Sequence, residues 1–190
     1  VALASGTSRH PEPGLDTPEN QYQQPEDGTM NYWLMKSEPD VFGIDHLAAL
    51  PGGRDHWDGV RNYQVRNMMR DDMKAGDLAF FYHSNTQPPG IAGIMEIVRE
   101  GYPDHTAFDP ESKYHDPKSD PDNPRWYMVD VQFKRRLRRY LTLPELKANP
   151  ALADMPLVRK GNRLSVMPLT ERQWQAILEM ETMNGDGDAT

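Results

Sequence analysis

From about Met30 to Met180 the chain alternates between short apolar bursts and clusters of turn-forming residues. Tyr32-Trp-Leu-Met35 is an aromatic-aliphatic run that predicts a buried strand, stopped at Pro39. Ile44 to Leu50 predicts a short helix entered at Asp45 and closed by Pro51-Gly-Gly53. A second helical stretch is predicted over 61–73, where Val65, Met68, Met69 and Met73 share compatible spacings. The turn Lys74-Ala-Gly-Asp77 feeds an apolar strand, Leu78 to Tyr82, and a loop then leads to Gly90–Val98. The glycines of that strand predict a bend or a close backbone approach. Residues 102–124, full of Asp, Pro, His and Ser, predict one long loop. Tyr127, Val129, Val131 and Phe133 alternate with more polar neighbours, which predicts a strand over 126–133. Capping-box spacings at Thr142/Glu145 and Thr170/Gln173 open two more helices, with a last strand, Arg163 to Pro168, between them. About five short strands interleaved with short helices predict an α+β domain. Its architecture is expected to be a small barrel or curled sheet with helical decoration, not a doubly wound parallel sheet.

Composition separates the two ends from this patterned region. Residues 1–29 are rich in Pro, Glu, Gln, Ser and Gly, and such a segment cannot bury enough apolar surface to offset its conformational entropy. Residues 1–29 are therefore expected to be a disordered extension or tag, and residues 181–190 a disordered tail. The first methionine, Met30, is read as the natural start, or as lying just after a maturation or added boundary. The formal charge is −8, but residues 1–29 hold five acids against Arg9, and residues 181–190 add Glu181, Asp186 and Asp188. The 30–180 domain is left at −1, which excludes neither an acidic nor a basic face. Without cysteine there is no disulfide, zinc–thiolate site or cysteine nucleophile. No apolar run is long enough to span a bilayer, and no signal-peptide pattern opens the chain, so no membrane partner and a cytoplasmic location are expected.

Four segments hold more polar and aromatic groups than a core or a bland surface needs: Lys36-Ser-Glu-Pro39, Trp57 to Tyr63, Tyr82-His-Ser-Asn85 and Arg163-Leu-Ser165. Together they offer aromatic faces (Trp57, Tyr82), amide and hydroxyl groups (Ser37, Asn62, Ser84, Asn85, Ser165) and cations (Lys36, Arg61, Arg163). A nucleobase needs that combination of a surface to stack on and short polar groups aimed at its edge. Taken singly, each residue also has a structural reading. Trp57 fits a core tryptophan, Asn62 a helix N-cap, Ser37 and Ser84 turn residues, His83 a satisfied strand-end histidine, and Glu38 a residue shaping the turn before Pro39. The run Lys134 to Arg139 carries five cations in six residues. Arg135, Arg136, Arg138 and Arg139 are read as a phosphate-contacting rim, against the alternative of a solvated strand end. His105, Asp109, His115 and Asp116 match no metal-binding spacing, and neither a nucleophile elbow nor a phosphate-binding loop is present. No metal, cofactor or catalytic residue is expected.

The same segments carry a family resemblance. Trp33 to Asp40, Trp57 to Tyr63, Tyr82 to Asn85, Tyr102-Pro-Asp104 and Arg163-Leu-Ser165, with the Gly76-Asp77 turn and the Trp174 helix, resemble in order the signature blocks of the EVE domain. The resemblance covers about Met30 to Met180. It implies a PUA-like curled β-barrel of five or six strands with short flanking helices, the architecture of the YTH readers of methylated adenine in RNA and the SRA readers of methylated cytosine in DNA. It also implies a pocket for a modified base built from Lys36, Ser37, Glu38, Trp57, Asn62, Tyr82, His83 and Ser84. Residues 1–29 and the arginine run depart from the short bacterial members without touching the signature blocks. The expected function is a non-catalytic reader, monomeric, binding DNA or RNA that carries a modified base. Two rivals stand beside it. An enzyme acting on a modified nucleotide would use His83 or Glu38 as acid/base, and a protein scaffold would expose an apolar patch.

Overall fold

A computed structural model describes residues 29–183; the expectations for residues 1–28 and 184–190 lie outside it. Six strands form one mixed sheet: β1 (Tyr32–Ser37), β2 (Arg54–Trp57), β3 (Leu78–His83), β4 (Gly90–Pro103), β5 (Tyr127–Thr142) and β6 (Val166–Leu169). Their order is β2-β5-β4-β3-β1-β6, antiparallel throughout except for the parallel pair β1–β3. The helices are short: α1 (Pro39–Phe42), α2 (Ile44–Ala49), α3 (Tyr63–Asn67), α4 (Leu143–Ala148) and α5 (Glu171–Met180). This is the curled α+β, PUA-like arrangement. Repeated register shifts between β4 and β5 mark where the long strands bend. At Gly90 the approach of β5 is so close that a Cβ would lie 2.2 Å from the Leu141 carbonyl oxygen.

Because side chains alternate across a strand, the sheet builds two cores. Phe80 and Tyr82 of β3 face one side with Leu34, Leu141 and the α5 residues Trp174 and Ile177. Ala79 and Phe81 face the other, with Met35, Trp57, Val131, Leu47 of α2 and Val65 of α3. The sheet is thus covered on both faces. No described helix is long and apolar enough to cross a membrane.

The structure departs from the sequence reading in several elements. β2 is absent from that reading because Arg54-Asp-His-Trp57, an edge strand beside β5, has no hydrophobic alternation. The strand expected to end at Val98 runs to Pro103, and the one expected to end at Phe133 runs to Thr142 through the arginine run. The helix expected over 61–73 divides into α3 and a π-helical turn, Met68–Asp72. The last strand begins at Val166, three residues after Arg163. The folded chain also passes the expected boundary at Met180: Glu181 is buried and ion-paired to Arg135 at 2.7 Å.

Candidate functional site

The C-terminal ends of the parallel strands β1 and β3 lie side by side. The Ser84 N–H donates to the Ser37 carbonyl at 2.9 Å, and the Lys36 N–H donates to the Ser165 carbonyl at 2.8 Å. Three serines from distant parts of the chain are thereby joined, and none of their hydroxyls has a hydrogen-bond partner among the described residues. They line a pocket of about 640 Å³ closed by Glu38, Val41 and Phe42 on one side and by residues 55–61 on another. Lys36, Arg163, Lys113 and Tyr114 complete its lining.

Trp57 sits at the end of β2 with 7% of its surface exposed. Its ring packs edge-on against Phe81, 5.4 Å away at 77°, and against Phe42, 6.3 Å away at 76°. The core reading of this residue holds, because its ring packs in the core, and the residue also lines the pocket. Trp33 and Trp126 donate their indole N–H groups to Asp77 and Asp116. The Trp57 N–H has no partner among the described residues, and it is not sealed from solvent. It remains open as a donor.

The wall at 58–61 is held by a buried carboxylate. Asp104 is fully buried and accepts from the Gly59 N–H at 2.9 Å, Arg61 Nη1 at 2.8 Å, and the Thr106 N–H and hydroxyl at 2.9 and 2.6 Å. Burial acts to raise its pKa, but the bonds from Arg61, Thr106 and Gly59 outweigh that and hold it below the usual aspartate range. Arg61 also donates to the carbonyls of Val60 and Tyr114, so its guanidinium clamps the long 104–126 loop to the pocket. Gly59, at φ +77°, lies under the Tyr114 ring, where a Cβ would come within 2.7 Å. His56 lies between Asp55 at 3.1 Å and Asp58 at 3.6 Å.

Of the residues singled out in the sequence, Lys36, Ser37, Glu38, Trp57, Arg61, Ser84, Arg163 and Ser165 are brought together in this lining. Asn62, Tyr82 and His83 are not. Asn62 is the N-cap of α3, its Oδ1 accepting from the Val65 N–H at 3.0 Å. Tyr82 is buried in the opposite core, with the Lys36 ammonium 5.9 Å from its ring centre, and burial raises its pKa to about 12. His83 accepts from the Ile44 N–H through Nε2 at 3.1 Å and so fastens the start of α2 to the end of β3. Glu38, the other candidate acid/base, accepts from Asn85 at 3.3 Å, and no hydrogen bond joins it to His83. Asp58, part of the Trp57 to Tyr63 segment, also lines the pocket, while Tyr114, Lys113 and His56 escaped the sequence reading.

The arginine run lies outside the pocket. Arg135 pairs with Glu181, Arg136 with Asp45 and Arg139 with Glu145, while Arg138 is exposed. Asp116 accepts from the Trp126 indole at 2.7 Å, and Asp109 caps a turn at the Glu111 N–H at 2.9 Å. Among the described residues no group of three or more His, Asp or Glu is placed to hold a metal ion. A more open groove of about 1010 Å³ lies near Met30, but Asp71, Asp72, Glu100 and Glu171 line it. Those carboxylates repel a polyanion, so the smaller pocket is the better nucleic-acid candidate.

The EVE domain family model matches residues 31–180. The chain belongs to the EVE domain family. It is 46% identical over 168 residues to thymocyte nuclear protein 1 of Homo sapiens, across 80% of this chain and 74% of that protein. To the Danio rerio protein of the same name it is 50% identical over 166 residues, across 78% of this chain and 71% of the relative. A crystal structure of a Pseudomonas putida protein is 53% identical, with a TM-score of 0.76 over 79% of this chain and 99% of that one. The human THYN1 protein, solved in complex with DNA containing 5-methylcytosine, is 47% identical, with a TM-score of 0.73 over 80% of this chain and 97% of that one.

Proposed function

We propose that this EVE domain is a non-catalytic reader of DNA that captures 5-methylcytosine in the pocket between Trp57 and the three serines. The observation that carries the reading is the human relative's complex with 5-methylcytosine DNA, at 47% identity over 80% of this chain. The chemistry of the pocket suits that ligand. A cytosine edge presents an amine donor beside two acceptors. The carboxylates of Glu38, Asp55 and Asp58 can take the amine, while the Trp57 N–H and the hydroxyls of Ser37, Ser84 and Ser165 can meet the acceptors. Val41 and Phe42 offer an apolar surface to the methyl group. The base must leave its stack to enter, which costs a few kcal/mol that interactions in the pocket offset.

The test is a titration of the full chain against two duplexes that differ only in one methyl group, with matched RNA strands as a third arm. Tighter binding of the methylated duplex is expected, and equal binding of the two would contradict the proposal. Preference for RNA would move the reading to another carrier. Mass spectrometry after prolonged incubation is expected to recover the methylated base unaltered, and a new product would make the protein an enzyme.

A further inference from the structure

Sequence density of charge and availability of charge part company in this molecule. The strongest basic run, Lys134 to Arg139, is matched by acids. Lys134 pairs with Glu96 at 2.8 Å, Arg135 with Glu181 at 2.7 Å, Arg136 with Asp45 at 2.6 Å and Arg139 with Glu145 at 2.6 Å. Arg138 stands close to the same Glu181. Burial raises that carboxyl's pKa, but the bonds from Arg135 and from the Arg138 N–H, with both positive charges, hold it low. Beyond a Debye length such a surface presents little net field, and Arg135, Arg136 and Arg139 would each have to leave a carboxylate before meeting a phosphate, while Arg138 is the one member of the run whose exposed side chain has no ion pair among the described residues.

The turn at 159–163 is the reverse case. Arg159, Lys160 and Arg163 are exposed, and among the described residues none of their side chains has an ion pair or a hydrogen bond. The backbone beneath them is fixed. Asn162 donates to the Pro156 carbonyl at 2.8 Å and accepts from the Leu164 N–H at 2.9 Å, and Gly161 takes the left-handed conformation at φ +83°. The turn is also tied to the pocket, because Arg163 lines it and the Ser165 carbonyl binds the Lys36 N–H. Lys113, exposed over the Tyr114 ring at 4.8 Å, supplies a further cation in the same lining.

We infer that the turn 159–163, with Lys113, holds the phosphodiester backbone of the strand whose base enters the pocket, and that the arginine-rich part of β5 does not. The inference rests on the base-capture reading for the position of that strand. It assigns the salt-dependent part of binding to cations whose counterions are free to be released.

The experiment compares Arg159→Gln/Lys160→Gln with Arg136→Gln/Arg138→Gln in the full chain. Each is titrated with the methylated and the unmethylated duplex over a range of salt, after melting curves show both variants folded. The first pair is expected to flatten log affinity against log salt by about 0.9 for each phosphate that is no longer neutralised. That change should be the same for both duplexes and leave their affinity ratio as in the parent. The second pair is expected to leave the slope unchanged. Flattening by the Arg136/Arg138 pair, or by neither pair, overturns the inference. A parent protein with no preference for the methylated duplex would overturn base capture instead, and the two slopes would still be read.

Discussion

Trp57 carries two roles that pull a substitution in different directions. Removing the whole side chain empties a space between Phe81 and Phe42, and Trp57→Ala is expected to cost about 3–5 kcal/mol of stability. Trp57→Phe keeps an aromatic ring there and deletes the open N–H together with the five-membered half of the indole. It is expected to stay folded and to lose about 0.5–1.5 kcal/mol of binding to the methylated duplex, which is roughly 2- to 12-fold in affinity. Calorimetric titration beside a melting curve checks both halves, and an unchanged affinity would remove the indole N–H from the site. Gly59 tests the opposite wall. Gly59→Ala places a methyl group against the Tyr114 ring on a left-handed backbone, a conformation that costs roughly 1–2 kcal/mol for a residue with a Cβ. A melting point lowered by about 2–8 °C and weaker binding are expected; wild-type values for both would mean that Tyr114 moves aside freely. At this scale the strand-end residues were legible because polar and aromatic types cluster there against an apolar background. Tyr114 was not, and Asp104 was read only as part of a signature block with no role, since their partners Gly59 and Arg61 lie more than forty positions away and a Pro-rich loop gives no local sign of the groups it meets.

Elements were legible where local chemistry decides them. Thr142 and Thr170 each accept from the backbone three residues on while Glu145 and Gln173 reach back, so both capping boxes form as the spacing predicts. β5 was cut short because its second half alternates buried Leu137 and Leu141 with arginines, a pattern that reads as surface until the acids beneath it are placed. α2 depends on two imidazoles: His46 Nδ1 accepts from the Gly43 N–H and His83 Nε2 from the Ile44 N–H. Burial pushes the His83 pKa below its ordinary value, with Asp45 pulling upward and His46 adding to the drop. A neutral His83 is therefore favoured by folding. Its contribution is fully present above the unfolded value, about 6.5, and declines as the pH falls through the depressed folded value. The melting point is expected to fall on acidification below about pH 6.5, and less steeply in His83→Gln. Parallel curves for the two proteins would show that His83 is not the titrating group.

For the whole molecule, the hydrophobic pattern led to the class of fold, and the pairing of strands supplied what the pattern lacks. Neither the parallel pairing of β1 with β3 nor the order β2-β5-β4-β3-β1-β6 has a signal in any single segment, yet that pairing sets Ser37 beside Ser84. The two cores close around residues from Trp33 to Met180, and a bacterial structure matched over 99% of its length spans only 79% of this chain. A chain beginning at Met30 is accordingly expected to melt within a few degrees of the full chain and to bind the methylated duplex equally well. A larger drop would show that the domain needs what precedes it. The central claim concerns where the methylated base goes, and a crystal structure of this protein with a duplex carrying one 5-methylcytosine tests it most directly. The base is predicted to lie outside the helix, in the pocket bounded by Trp57, Ser37, Ser84 and Ser165. A methylcytosine still stacked in the duplex, with that pocket empty, would contradict the account.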